Sequence, residues 1–342
     1  MKLTPGKLKG LKAVSNQQGV IAAAAMDQRG SLQKSIAKEK GIDPKAVTPE
    51  MMGEFKAAVT KILTPYASAI LLDPEFGLGA AKARSSNAGL LLAYEKTGYD
   101  TNMAGRFPDL LYDWSVLRLK NAGADCIKIL LYYTPYEDAL TNDRKRVWVE
   151  RIGAECIAHD IPFFLEFVTY HPDVADEKGP DFAKLKPHAV IDAMREFSKP
   201  QYGVDVLKVE VPVNTHYVEG TKYFKGPAAQ SRKEALDFYR EAAAVATKPF
   251  IYLSAGVSNA QFIENLELAA EAGVKFNGVL CGRATWKEGI PVYAKQGLKA
   301  LEDFLNTEGV KNIQAVNKAL HAATPWYATY GATSADGLNA AA

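Results

Sequence analysis

The sequence predicts an α/β fold, a single (β/α)8 barrel of the TIM type over residues 1–330, with a small-residue tail over 331–342 expected to be mobile. Three observations predict it. Short aliphatic and β-branched runs alternate with helical patterns eight times along the chain. Segments entering the runs are short, whereas several leaving them are long, as in barrels that build their binding apparatus at the carboxyl ends of the strands. Finally, consecutive apolar runs carry charged residues at their centres, where a parallel barrel would turn them toward its axis.

Taken in order, the first strand is Val20–Met26. A helix follows from Thr48, an N-cap with Pro49 at the first helical position, and carries Met52, Phe55, Val59, Ile62 and Leu63 at helical spacing. Strands Ser68–Asp73 and Gly89–Tyr94 come next, then helix Leu110–Asn121 and strand Cys126–Tyr132. Helix Asp138–His159 leads to strand Pro162–Thr169, helix Asp181–Phe197 to strand Val204–Val211, and helix Ala228–Thr247 to strand Phe250–Ser254. Ser258 with Gln261 reads as a capping box opening a helix that Gly273 closes. Strand Phe276–Gly282 and helix Pro291–Asn306 complete the set. Thr247-Lys248-Pro249 and Val274-Lys275 enter strands; Glu95–Asp109, Tyr133–Glu137, His171–Pro180 and Pro212–Pro227 leave them. An open doubly wound sheet would require a GxGxxG turn after the first strand, and Asp27-Gln28-Arg29-Gly30 is not one.

With 48% hydrophobic and 23% charged residues in 342, the chain has ample material for a core. A net charge of +2 leaves no basic footprint for nucleic acid or a membrane, so the expected partner is a small molecule. No run approaches membrane-spanning length, and Met1–Gly19 is polar without a secretory pattern, which points to the cytoplasm. Cys126, Cys156 and Cys281 are odd in number, far apart and without a CxxC pair, which fits a reducing compartment and small core hydrophobes. His159, His171, His188, His216 and His321 show no HxH, HxxxH or HExxH spacing, so nothing calls for a metal or another cofactor.

Lys208 lies in the middle of Val204–Pro212. On a strand Leu207, Val209 and Val211 share one face, and Val206, Lys208 and Glu210 share the other. By the same parity Lys128 opposes Ile127, Ile129 and Leu131, and Glu166 opposes Phe163, Leu165 and Phe167. Parallel neighbours lie roughly 4.8 Å apart, so the three meet inside a barrel if their heights match. Lysine is almost never buried without a partner or a task, and desolvation favours its free amine, which condenses with a ketone or aldehyde. The expected roles are Lys208 as Schiff-base lysine, Lys128 as its electrostatic partner and Glu166 as acid/base. Lys128 as the nucleophile is the alternative, and a purely structural ion pair is the bland one.

Asp27, closing the first strand, would sit at the barrel mouth and bind a substrate hydroxyl or carry protons, unless it only shapes a turn. Arg29 beside it reads equally well as a surface cation. The seventh and eighth strands end in Ser254-Ala255-Gly256 and Cys281-Gly282-Arg283. Ser254, Gly256, Gly282 and Arg283 there suit a phosphate site built on glycine backbone N–H groups and a helix amino terminus.

At Val14–Leu32, Cys126–Tyr133, Ile161–Tyr170, Asp205–Asn214, Ser254–Val257 and Cys281–Trp286 the chain resembles class I tagatose-1,6-bisphosphate aldolases, over roughly its first 325 residues. The resemblance implies a barrel of eight βα units and reversible cleavage of a ketohexose bisphosphate into dihydroxyacetone phosphate and glyceraldehyde 3-phosphate, through a lysine Schiff base without metal. It implies Lys208 as that lysine with Lys128 and Glu166 beside it, Asp27 and Gln28 as substrate contacts, and Ser254 and Arg283 at a phosphate. The tail Ser334–Ala342 departs from the family pattern, which bears on contacts in a homo-oligomer more than on chemistry. The wider family includes aldolases for sulfonated sugar phosphates such as sulfofructose 1-phosphate, and Arg29, Lys82, Arg84, Arg106 and His171 are all candidates for the distal anion. A metal-dependent aldolase and a barrel that binds sugar phosphates without turnover are the competing functions.

Overall fold

A computed structural model describes residues 2–96 and 103–339, so part of the loop expected at Glu95–Asp109 and the last three residues of the tail lie outside the described residues. The apolar runs form β1 (Ile21–Ala25), β2 (Ala69–Leu72), β3 (Gly89–Ala93), β4 (Cys126–Tyr132), β5 (Phe163–Val168), β6 (Val206–Val209), β7 (Phe250–Leu253) and β8 (Gly278–Cys281). Each pairs in parallel with its sequence neighbours, and β1 also pairs with β8, so the sheet closes into a barrel in chain order. Helices cover such a sheet outside and side chains fill it inside, which is why β2 and β3 are buried at every position.

Strand parity separates two cores. Leu207, Val209, Ile127, Ile129, Phe163 and Leu165 face outward into the layer of helices. Cys126, Phe164 and Val206 face inward with Ile21, Ala23 and Ile251. At the amino-terminal end the interior continues into the helix α1 (Pro5–Ala13), through Leu8 and Leu11, and into Trp326 and Leu338. Gly10 permits this plug, since a Cβ there would stand 2.4 Å from the Asp125 carbonyl oxygen. The segment after Gly331 lies against the amino terminus, with the Leu3 N–H donating to Leu338 O at 2.7 Å.

Around the barrel run α2 (Gly30–Lys40), α3 (Pro49–Leu63), α4 (Leu78–Ala81), α5 (Val116–Asn121), α6 (Ala139–Ala158), α7 (Pro180–Phe197), α8 (Arg232–Val245), α9 (Asn259–Glu271), α10 (Arg283–Trp286), α11 (Gly289–Phe304) and α12 (Val310–Lys318). Thr48 caps α3 by accepting from the Met51 N–H, as its sequence predicts. Three helix expectations change. Leu110–Asn121 is helical only from Val116, because Leu111 N–H donates to Tyr94 O and Leu110 bridges Glu95, leaving Ser115 to cap. The Ser258 box is half made: Ser258 accepts from Gln261 N–H, but the Gln261 side chain donates to Thr215 instead. The complete capping box is at Ser231 and Glu234. The last expected helix kinks at Gly297, whose φ is 81°. Among the described residues no helix is long and apolar enough to cross a membrane.

Candidate active site

β4, β5 and β6 carry Lys128, Glu166 and Lys208 inward, and all three are buried. Glu166 and Lys208 are direct register partners, while Lys128 pairs with Phe164, one inward-facing step lower. Side-chain length absorbs that offset. Glu166 Oε2 lies 2.8 Å from Lys208 Nζ and 2.8 Å from Lys128 Nζ, so one carboxylate oxygen joins the two amines.

Lys128 has two more acceptors, Asp27 Oδ2 at 2.8 Å and Glu95 Oε1 at 3.0 Å. Burial opposes its charge, but Asp27, Glu166 and Glu95 outweigh burial and hold it an ammonium well above the usual lysine range. Burial likewise opposes ionisation of Asp27 and Glu166, and in both the ammonium groups of Lys128 and Lys208 win, holding them below the usual carboxylate range. Glu95 goes the other way. Its burial outweighs Lys128 and Arg29, and repulsion from Asp27 adds to it, because three carboxylates crowd one ammonium.

Arg29 is not the surface cation that the sequence allowed. It is buried, donating to Glu75 at 2.8 Å and Glu95 at 3.3 Å. Gln28 donates to Asp27 Oδ1 at 3.3 Å, and its own buried Oε1 has no partner among the described residues. Glu210, on the Lys208 face by parity, lies just beyond β6 and accepts the N–H and hydroxyl of Thr169, each at 2.7 Å.

Ser254 follows β7, and Arg283 opens α10 after Gly282. Gly256 has a φ of 75°, which suits glycine, and a Cβ on it would stand 2.9 Å from Arg283 Cζ, so its bareness leaves room for the guanidinium between the two loops. A Cβ on Gly282 would reach 3.4 Å from Gln28 Nε2, which ties this corner to the β1 exit. The Cys281 thiol, pushed up to about 12 by burial, lies within reach of the Ser254 hydroxyl and the charge of Lys208. One expectation weakens: α10 is a single turn, so it adds little dipole, and the glycine backbone and the exposed Arg283 side chain are what the corner offers an anion.

Among the distal-anion candidates, Arg84 donates to Ala81 O and to Ala88 O, just before β3 and thus at the opposite end of the barrel. Lys82 caps α4 and is exposed. His171 accepts from the Asp173 N–H at 3.1 Å and lies against Tyr136. Arg106 lies over the Tyr170 and Tyr132 rings, 4.1 and 5.3 Å from their centroids, and pairs with Glu177.

A profile described as DeoC/LacD family aldolase matches residues 21–288, β1 through α10. The chain belongs to that family. It is 53% identical over 329 residues to tagatose 1,6-diphosphate aldolase 2 of Enterococcus faecalis, covering 96% of this chain and 98% of that protein. To tagatose 1,6-diphosphate aldolase of Listeria monocytogenes it is 51% identical over 332 residues, covering 97% and 96%. A fructose-bisphosphate aldolase structure from Plasmodium falciparum superposes with a TM-score of 0.63 at 14% identity, covering 94% of this chain and 97% of that one, which supports the barrel fold.

Within this DeoC/LacD aldolase, the sequence reading missed Glu95, Lys56 and Asp73. Lys56 is buried on α3 and donates to Met26 O at 2.6 Å and Gln28 O at 2.8 Å, with Asp73 at 2.6 Å. It therefore braces the β1 exit that carries Asp27 and Gln28. A signal was present: Asp27, Asp73 and Glu95 each follow the last residues of β1, β2 and β3, so three successive apolar strands close on a carboxylate.

Proposed function

We propose that this chain is a class I aldolase of sugar catabolism, cytoplasmic, which reversibly cleaves D-tagatose 1,6-bisphosphate and epimeric ketohexose bisphosphates to dihydroxyacetone phosphate and D-glyceraldehyde 3-phosphate. The observation that carries it is the buried Glu166 Oε2, 2.8 Å from both amines. Lys208 Nζ gives its proton to a nearby carboxylate and attacks the C2 ketone. Glu166 returns a proton to the carbinolamine oxygen, which leaves as water and gives an iminium. The iminium draws the electrons of the C3–C4 bond as a base takes the C4 hydroxyl proton. The aldehyde departs, C3 of the enamine is protonated, and water releases the ketone product and regenerates Lys208.

Lys128, paired with three carboxylates, serves as a fixed positive charge. Asp27 and the free Gln28 Oε1 are suited to sugar hydroxyls, and Ser254, Gly256, Gly282 and Arg283 to the phosphate of the ketone half. Arg106, on a loop leaving β3 and stacked at the ends of β4 and β5, is suited to the distal phosphate. The test is borohydride trapping with dihydroxyacetone phosphate followed by peptide mass spectrometry. A reduced adduct on Lys208, with cleavage insensitive to EDTA, is expected; no adduct, or activity lost to EDTA, overturns the reading.

A further inference from the structure

We propose that Glu95 is a positioning residue that keeps Lys128 fully engaged as an ammonium and thereby leaves Lys208 as the amine that attacks the substrate. The inference rests on the aldolase reading above and deepens it. An ammonium has three N–H bonds, and Lys128 Nζ faces three carboxylate oxygens, Asp27 Oδ2 at 2.8 Å, Glu166 Oε2 at 2.8 Å and Glu95 Oε1 at 3.0 Å. Loss of a proton would forfeit three ion pairs at once, so Lys128 keeps its charge and offers no lone pair to a carbonyl. Among the described residues Lys208 Nζ has one carboxylate partner, Glu166, so making its lone pair available disrupts one ion pair rather than three.

Of the three carboxylates around Lys128, Glu95 is the one built to stay in place. Its Oε2 accepts the Leu130 N–H at 3.1 Å while its Oε1 holds Lys128, so it clamps the lysine against the lysine's own strand. Arg29 holds the same Oε1 from the β1 side at 3.3 Å and is itself anchored by Glu75. Asp27 and Glu166, by contrast, have the β1 exit and Lys208 to serve. The charges facing Lys128 are thus Asp27 after β1, Glu95 after β3, Glu166 on β5 and Lys208 on β6, with Arg29 behind Glu95 and the Lys56–Asp73 pair behind the β1 exit.

The experiment compares wild type, Glu95→Gln and Glu95→Asp in kcat, KM, pH profile and the site of the borohydride-trapped dihydroxyacetone phosphate adduct. Gln keeps the shape and removes the charge; Asp keeps the charge and withdraws it by one methylene. E95Q is expected to lower kcat about 100-fold with KM within about threefold. Its alkaline limb should fall by about one pH unit, since Lys128 loses a carboxylate that favours its protonated form. At alkaline pH some adduct should move to Lys128. E95D should shift the same way by less, and decides alone if E95Q does not fold. Wild-type kcat, alkaline limb and an adduct confined to Lys208 in the folded variants would overturn the inference while sparing the aldolase reading. Absence of the Lys208 adduct in wild type would sink both.

Discussion

The two ends of the barrel use buried polar groups in opposite ways. At the amino-terminal end the residue just before each even strand accepts an N–H from the preceding odd strand: Ser68 from Ala22, Asp125 from Leu90, Asp205 from Phe163 and Asn277 from Phe250, each at 2.9 Å. These side chains satisfy the backbone, and Asp205 also holds Lys7 Nζ at 2.8 Å. At the carboxyl-terminal end Asp27, Glu95, Glu166, Lys128 and Lys208 chiefly satisfy one another. Charges that share partners can pass protons without moving the chain, whereas clamps on strand N–H groups can only hold. The comparison locates rigidity at one end and chemistry at the other.

The largest break in this contrast is Lys208→Ala, which should cost at least about 10⁴-fold in cleavage, abolish the trapped adduct and leave the thermal unfolding midpoint almost unchanged. Retained turnover would move the nucleophile elsewhere.

Lys128→Met should cost about 100-fold or more in kcat and, unlike the first variant, also stability, because it removes the cation that three buried carboxylates share and leaves Asp27 without its ion-pair partner. Its pH dependence sharpens the point. Asp27 and Glu166 have folded-state affinities for protons below the ordinary carboxylate value, so they stabilise the wild type where their unfolded counterparts are ionised, above about pH 4, and that stability fades as pH falls further. The difference in stability between wild type and K128M should therefore be full at pH 7 and shrink toward pH 3, as read by urea titrations. A constant gap would contradict the charge network.

Smaller effects separate the two phosphates. Arg283→Ala should raise KM about tenfold and weaken trapping with dihydroxyacetone phosphate alone. Arg106→Ala should raise KM for the bisphosphate by a similar factor while leaving that trapping intact. Equal effects on both probes would remove Arg106 from the distal site.

At the other end, Asn277→Ala should cost about 1–3 kcal/mol of stability by orphaning the buried Phe250 N–H, with kcat at 25 °C unchanged. A fall in kcat there would show that the two ends are coupled.

Alternation in the sequence was enough to mark all eight strands within a few residues and to turn Lys128, Glu166 and Lys208 inward, since the period of two fixes a face wherever one side is greasy. Glycines after β7 and β8 likewise announced a corner in which Gly256 and Arg283 touch. The helix from Leu110 was misjudged because what stops it is a bridge to Glu95, a partner outside any local window. Arg29 looked like a surface cation for the same reason, its carboxylates lying 46 and 66 residues away.

By itself, then, the sequence determined the order of elements, the faces of the strands and the kinds of groups inside. Only the tertiary structure decided which carboxylates hold which amine. Asp27, Glu95 and Glu166 come from the exit of β1, the exit of β3 and the interior of β5, and local pattern carries no information about distances across a barrel. Closure and the stagger of the strands bring the three to one ammonium, and with it set the two lysines apart.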